Sequence, residues 1–231
     1  MRFPYRPRLD WETVATRRRY DDACTVARAL DLVGERWALL VVRELLFGPK
    51  RFTDLRTGLP GASPNVLSQR LRELDEAGVL RRRRLPPPAA AWVYELTPYG
   101  HQLEPVVFAL GKWGAQVSGP LDGRPLSVDS MMLAMRTLYD PARTRGVVTD
   151  VVVELGEDGF RATATPDGLR LVREPVDRPD VVIRTDTTTL SGVVSGGRTL
   201  TEALDSGDLV LVGDDAVATR FFTLFSRERL A

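Results

Sequence analysis

The spacing of apolar positions changes several times along the chain, and each change marks an element. From Asp22 to about Leu46 the apolar residues fall three and four apart. Val26, Leu30 and Val33 come first, and Trp37, Leu40, Val41 and Leu45 continue the face. This predicts helix with room for a break at Gly34, stopped at Gly48-Pro49. Phe52 to Leu55 predicts a short second helix ended by Arg56-Thr-Gly58, and Leu59-Pro-Gly-Ala a turn. Ser63 then suits an N-cap, and Pro64 suits the first helical position, where a missing N–H costs nothing. The helix is expected to run to about Ala77, with Gly78 beyond its end. The period next falls to two. Val79–Arg84 and Ala91–Leu96 predict a hairpin around Pro86-Pro-Pro88. Thr97-Pro98 opens another helix with Leu103, Val106, Val107, Leu110 and Trp113 on its apolar side, kinked at Pro105.

Gly119 to Pro125 is a linker by composition, and the texture changes after it. Met131, Met132, Met135 and Leu138 predict a helix. Val147–Leu155, Phe160–Thr165, Leu169–Arg173 and Asp180–Thr185 predict strands separated by Gly, Asp and Pro. Thr187–Val194 and Leu200–Leu204 predict short helices, Leu209–Val212 a last strand, and Asp214–Phe225 a final helix. The fold class is therefore α+β. The expected organisation is a basic arm over 1–20, a first domain over 21–118, a linker over 119–126 and a second domain over 127–231.

Formal net charge is only +1, but it is unevenly placed. Residues 1–120 carry 19 Lys and Arg against 13 Asp and Glu, net +6, whereas residues 121–231 carry 13 against 18, net −5. A basic half joined to an acidic half implies two domains with different partners. Cys24 is the only cysteine, so a disulfide framework is ruled out, and with His101 the only histidine a typical zinc site is not available. No Ser-His-Asp arrangement is evident, and Asp21-Asp22 and Asp214-Asp215 read as charges at helix N-termini. No enzyme, cofactor or metal is expected. The start of the chain lacks an apolar signal core, and the run Trp37–Val42 is far short of the roughly 20 residues that span a bilayer. A cytosolic protein with no membrane partner is expected.

The chemistry concentrates in the helix after Ser63. At about 100° per residue, Leu67, Leu71 and Leu74 lie on one side, with Asn65, Gln69, Arg72 and Glu76 opposite and Ser68 at the flank. The leucines would fix the helix to a body. The other side offers groups that read base edges: Arg to guanine, Asn and Gln to adenine, Ser to either. Ser63, Pro64 and the helix N-terminus suit phosphate contact. Arg81, Arg82, Arg83 and Arg84 should alternate sides of the hairpin strand, two toward a duplex and two away. Lys50 and Arg51 are placed to clamp the backbone on the other side. An ordinary amphipathic surface helix would explain the helix alone. It does not explain the helix together with the short preceding helix, the turn and the basic hairpin.

These residues resemble a known family. Cys24-Thr-Val-Ala-Arg-Ala-Leu-Asp-Leu-Val-Gly-Glu-Arg-Trp37, Leu45-Leu-Phe-Gly-Pro-Lys-Arg-Phe-Thr-Asp-Leu55, Leu67-Ser-Gln-Arg-Leu-Arg-Glu-Leu74, Tyr94-Glu-Leu-Thr97 and Gly100 are similar, in order, to the HxlR-type winged helix-turn-helix regulators. One departure is Gly34-Glu-Arg-Trp37, where the family commonly has a second Gly and a Lys before the Trp. The resemblance implies a homodimer paired through its terminal helices and bound to a two-fold-related double-stranded operator. Cys24 takes the position of a cysteine that some members use as a redox switch. The plainer reading of Cys24 is a small buried helix residue.

The second half resembles sterol-carrier-protein-type lipid-binding domains. The resemblance lies in Asp180-Val-Val-Ile-Arg-Thr-Asp186, Leu190, Gly196-Gly-Arg198, Thr201-Glu-Ala-Leu-Asp-Ser-Gly207 and Leu209-Val-Leu-Val-Gly-Asp214, with Phe221, Phe222 and Phe225 after them. It implies an α/β sandwich whose helices and curved sheet enclose an apolar tunnel. Met131, Met132, Met135, Leu190, Val193, Val194, Phe221, Phe222 and Phe225 would line it for an apolar small-molecule effector. Solid core explains the same residues equally well. The competing function is a lipid carrier whose first half only dimerises. The polar helix face and basic hairpin speak against that, since dimerisation does not need them.

Overall fold

The computed structural model describes residues 20–116, 126–174 and 179–226. The expected arm therefore lies almost wholly outside the described residues, as does the linker stretch 119–125 and residues 175–178 within the second half. The chain divides into two compact units, Met1–Val107 and Phe108–Ala231.

In the first unit the opening stripe is two helices, α1 (Thr25–Val33) and α2 (Ala38–Leu45). The Gly34 N–H closes α1 on the Leu30 carbonyl at 2.7 Å, and Trp37 turns the chain with a φ of 78°. The expected face of α1 is only partly buried. Ala27 and Val33 face inward, while Val26 and Leu30 are exposed. α2 buries Ala38, Val41, Val42 and Leu45, and with them the carboxylate of Glu44.

α3 (Phe52–Gly58) and α4 (Pro64–Glu76) form the helix-turn-helix. Leu67, Leu71 and Leu74 are fully buried, and each such side chain contributes about 1.5–3 kcal/mol of burial free energy. The wing is β1 (Leu80–Arg84) paired antiparallel with β2 (Trp92–Leu96), in register Leu80 to Leu96 and Arg84 to Trp92. Lys50 adds a two-way backbone bridge to Tyr94, with N–H to O distances of 3.0 and 2.8 Å.

Behind the wing, Thr97 caps α5 (Pro98–His101) by accepting the Gly100 N–H at 3.1 Å. The Thr97 hydroxyl donates to the Gly78 carbonyl at 2.6 Å, tying the end of β2 to the end of α4. Pro105 does not kink one long helix as expected. The chain leaves helical geometry after His101 and restarts as α6 (Glu104–Gly114), with Pro105 in its first turn, where proline fits. Of the expected apolar side only Val107 is buried, and Val106, Leu110 and Trp113 are exposed. The division between units falls within α6, earlier than the expected linker. Phe108 groups with the second unit, where the Arg136 guanidinium lies 4.9 Å above its ring.

The second unit follows the expected order closely. It comprises α7 (Val128–Leu138), β3 (Thr149–Leu155), β4 (Asp158–Thr165), β5 (Gly168–Val172), β6 (Val181–Thr185), α8 (Thr187–Val194), α9 (Leu200–Asp205), β7 (Leu209–Gly213) and α10 (Asp215–Thr223). A 3-10 turn at Pro141–Thr144 was not expected. The sheet order is β5-β4-β3-β6-β7, with β6 parallel to β3 and the other pairs antiparallel. Along β3 burial alternates, so Val151, Val153 and Leu155 face the core while Asp150, Val152 and Glu154 face outward. The outward face carries cross-strand ion pairs, Arg161 with Asp150 at 2.5 Å and Arg184 with Glu154 at 2.6 Å.

α10 packs on β3, β6 and β7, and α7 on β5 and α8. Eight of the nine expected tunnel residues are buried in this layer, and Phe222 is half-buried. The Phe221 ring meets Phe225 and Phe222 edge-on at centroid distances of 5.1 and 5.8 Å, an arrangement worth about 0.5–1.5 kcal/mol per pair beyond area burial. Asp129, fully buried on α7, is held bidentate by Arg173 at 3.1 Å per bond, and that guanidinium also lies 4.4 Å over the Phe160 ring.

Candidate nucleic-acid interface

The structure brings together most of the residues expected to meet DNA. The Ser63 hydroxyl accepts the Val66 N–H at 3.4 Å, fixing the start of α4 with Pro64 at the first position. Asn65, Ser68, Gln69 and Arg72 are all exposed, opposite the buried leucines. The Gln69 amide donates to Glu73 Oε1 at 3.0 Å, which holds it along the helix. Arg72 pairs with no described residue.

Arg70, which a helical wheel places beside the leucine face, is buried. It sits 2.5 Å from Glu73 and 3.5 Å from Glu35 in the loop between α1 and α2. It braces α4 against that loop and does not face solvent. Beside the start of α4 lies a cleft of about 700 Å³ lined by Thr53, Arg56, Thr57 and Pro60 to Pro64. Arg56 had been read only as a helix terminator. The Arg56 cation, the Ser63 hydroxyl and the α4 N-terminus line the cleft, while the Thr53 and Thr57 hydroxyls donate to Asp54 Oδ1 and the Thr53 carbonyl.

Lys50, one of the expected DNA contacts, is ion-paired within the domain. Its ammonium lies 2.7 Å from Glu44 Oε2 and its side chain is mostly buried. Glu44 is fully buried and also accepts from Arg43 at 2.8 Å, so Lys50 serves as a counter-charge inside the domain. A Cβ on Gly58 would stand 2.2 Å from the same carboxylate, so only glycine lets α3 end there. Sequence spacing does not reveal this, because Glu44 follows Arg43 in a helix whose other positions are apolar. Arg51, next in sequence, is exposed, and its N–H donates to Asp54 at 2.9 Å.

The four wing arginines follow one another along β1. Arg81, Arg82 and Arg84 are exposed and Arg83 is half-buried. Glu95, on the facing strand, had not been assigned a role, although it stands directly across from Arg81.

Cys24 is exposed, contrary to the buried reading, because it precedes the first turn of α1 and lies off its buried side. The nearby backbone N–H of Ala27, and then that of Val26, favour the thiolate and lower its pKa below that of an ordinary cysteine, against a smaller opposing effect of burial. Its alkylation by iodoacetamide, followed against pH, is therefore expected to have a midpoint below the ordinary thiol value. A midpoint at or above that value would remove the thiolate from consideration.

A capped helix with a buried leucine side and an exposed Asn/Ser/Gln/Arg side, preceded by a short helix and followed by a basic hairpin, defines a winged helix-turn-helix DNA-binding protein. The HxlR-like helix-turn-helix family model matches residues 32–121. The HTH-type transcriptional regulator YvaP of Bacillus subtilis is 37% identical over 93 residues, covering 40% of this chain and 86% of the relative. From the same organism, the HTH-type regulator YdeP is 33% identical over 44% of this chain and 79% of its own length, and YodB is 34% identical over 41% and 84%. The chain belongs to the HxlR-like family of HTH-type transcriptional regulators. Among the described residues no helix is long and apolar enough to cross a membrane.

Proposed function

We propose that this chain regulates transcription as a homodimer that places α4 on a two-fold-related operator, with the wing beside it. The observation that carries this reading is the exposed row Asn65, Ser68, Gln69 and Arg72 on a helix anchored by three buried leucines. The cleft around Arg56 and Ser63 would take a backbone phosphate, and Arg51 lies at the start of the same short helix. Dimerisation is supported by the apolar residues left exposed on two helices: Val26 and Leu30 on α1, and Val106, Leu110 and Trp113, spaced four and three apart, on α6.

Arg72→Ala is expected to cost about 1–3 kcal/mol at one base pair and to relax choice there. Selection of preferred sites from a random duplex library, for wild type and variant, would measure this. Uniform weakening on every sequence would reduce Arg72 to a phosphate contact.

The second unit is read as a sterol-carrier-like sensor of an apolar effector. That reading is supported by the methionine- and phenylalanine-rich interior between α7, α8, α10 and the sheet. An effector acts only if it binds one arrangement of the chain better than another. Fatty acids, sterols and polyketide-like compounds that give neither a thermal shift nor operator release would count against it. A redox role for Cys24 is supported by its exposure. An oxidant response on operator DNA that is the same in Cys24→Ser would end that idea.

A further inference from the structure

Directly paired residues of an antiparallel hairpin share a face, so the register divides the wing arginines into two unlike pairs. Arg81 and Arg83 lie with Glu95 and Val93 on one face, and Arg82 and Arg84 with Tyr94 and Trp92 on the other. Glu95 engages both arginines of its face. Arg81 Nε and Nη2 reach one carboxylate oxygen at 2.7 and 2.6 Å, and Arg83 Nε reaches the other at 2.6 Å. Both oxygens are occupied, and the three groups together keep only one unit of positive charge. Burial would push the Glu95 carboxyl up, but the hydrogen bonds and charges of Arg83 and Arg81 outweigh it and hold the group below the ordinary carboxylate range.

The other face has no carboxylate. There the Arg82 guanidinium lies 4.6 Å over the centroid of the Trp92 ring. Trp92 is 51% exposed, so the largest side chain of the wing contributes little to the core. A guanidinium stacked on an aromatic ring is held in place while its in-plane N–H groups stay available to acceptors. Arg84 stands directly across from Trp92, with its Nε 3.3 Å from the Ala90 carbonyl near the hairpin tip.

We propose that the wing meets DNA with one face only. Arg82 and Arg84 make the contacts, Trp92 is the positioning residue for Arg82, and Glu95 withholds Arg81 and Arg83 from the phosphates. This rests on the DNA-binding reading above and adds a brake to it. A wing with four free arginines would bind any duplex more tightly, which works against choosing an operator.

The test uses the full chain and a random-sequence duplex, with affinity measured by fluorescence anisotropy across a salt series. Each phosphate neutralised contributes about 0.9 to the slope of log K against log salt. Arg82→Ala is expected to reduce the slope by about 1. Arg81→Ala and the Arg81→Ala/Arg83→Ala pair should reduce it by less than half as much. Glu95→Gln should tighten binding and steepen the slope, since it frees two arginines. Trp92→Ala should weaken binding several-fold, Trp92→Phe should restore most of the loss, and the unfolding midpoint should not follow the affinity. Equal slope losses for Arg81→Ala and Arg82→Ala, or an unchanged slope in Glu95→Gln, would overturn the division of the wing while leaving DNA binding intact. A wild-type chain that does not bind duplex DNA would overturn both.

Discussion

Glu44→Ala is expected to destabilise the first unit by about 3–5 kcal/mol, the range for removing one partner of a buried ion pair. The carboxylate is fully buried and both its oxygens are engaged, one by Arg43 and the other by Lys50. Without it the Lys50 ammonium is left mostly desolvated. Its backbone is bridged both ways to Tyr94 in the wing. Relaxation that shifts the Lys50 main chain moves the base of the wing, and DNA affinity should then fall as well. Urea unfolding followed by tryptophan fluorescence and circular dichroism reads the stability. Glu44→Gln, which keeps the shape and one acceptor, should lose less, and Lys50→Met in the Glu44→Ala background should recover part of the loss. If the double variant is no more stable than Glu44→Ala alone, the buried Lys50 ammonium is not the source of the damage.

Gly100→Ala should also destabilise, although helix propensity alone points the other way. Alanine is favoured over glycine inside a helix by about 1 kcal/mol. Here, however, a Cβ would stand 1.9 Å from the Val79 carbonyl oxygen and 3.2 Å from a Leu96 methyl. That carbonyl is fixed, since it accepts the Thr97 N–H at 3.0 Å. Relief requires α5 to move off the end of β1, and overpacking of this kind costs about 1–3 kcal/mol and sometimes more. The clash exceeds the propensity gain, so a lower melting temperature is expected. A variant as stable as the wild type would mean that α5 and Val79 stand further apart in solution than they do here.

The elements whose signals are local were legible in the sequence. Ser63-Pro64 and Gly78 bracket α4 because caps and proline act within a turn of the helix end, and the wing strands follow from alternation and the prolines between them. α8 runs over Thr187–Val194 as expected, capped by the Asp186 carboxylate, which accepts the Thr188 and Thr189 N–H groups at 2.7 and 3.0 Å. What was not legible depends on partners distant in sequence. Apolar spacing on α1 and α6 marks a stripe, but it does not say whether the stripe faces the domain's own core or lies open, as Val26, Leu30, Leu110 and Trp113 do. Arg70 lies beside the leucines on the wheel, but its pairing with Glu35 could not be read because that residue belongs to another element. Lys50 beside Arg51 reads as a basic clamp until the buried Glu44 is known. Glu95 was within reach, since the hairpin register places it directly opposite Arg81.

The order of pairing in the two units has a consequence for synthesis. The two wing strands pair with each other across one turn, while Lys50 must wait for Tyr94, so the reading head closes once β2 has left the ribosome. In the second unit β3 must wait for β6 at its side, β6 for β7, and the apolar side of the sheet for α10, the last of the described helices. A chain cut short before residue 209 would therefore carry the helix-turn-helix and wing joined to a sheet whose apolar side lacks α10 over β3 and β6. Such truncation products should bind nucleic acid and also aggregate, so α10 acts as a seal over β3, β6 and β7.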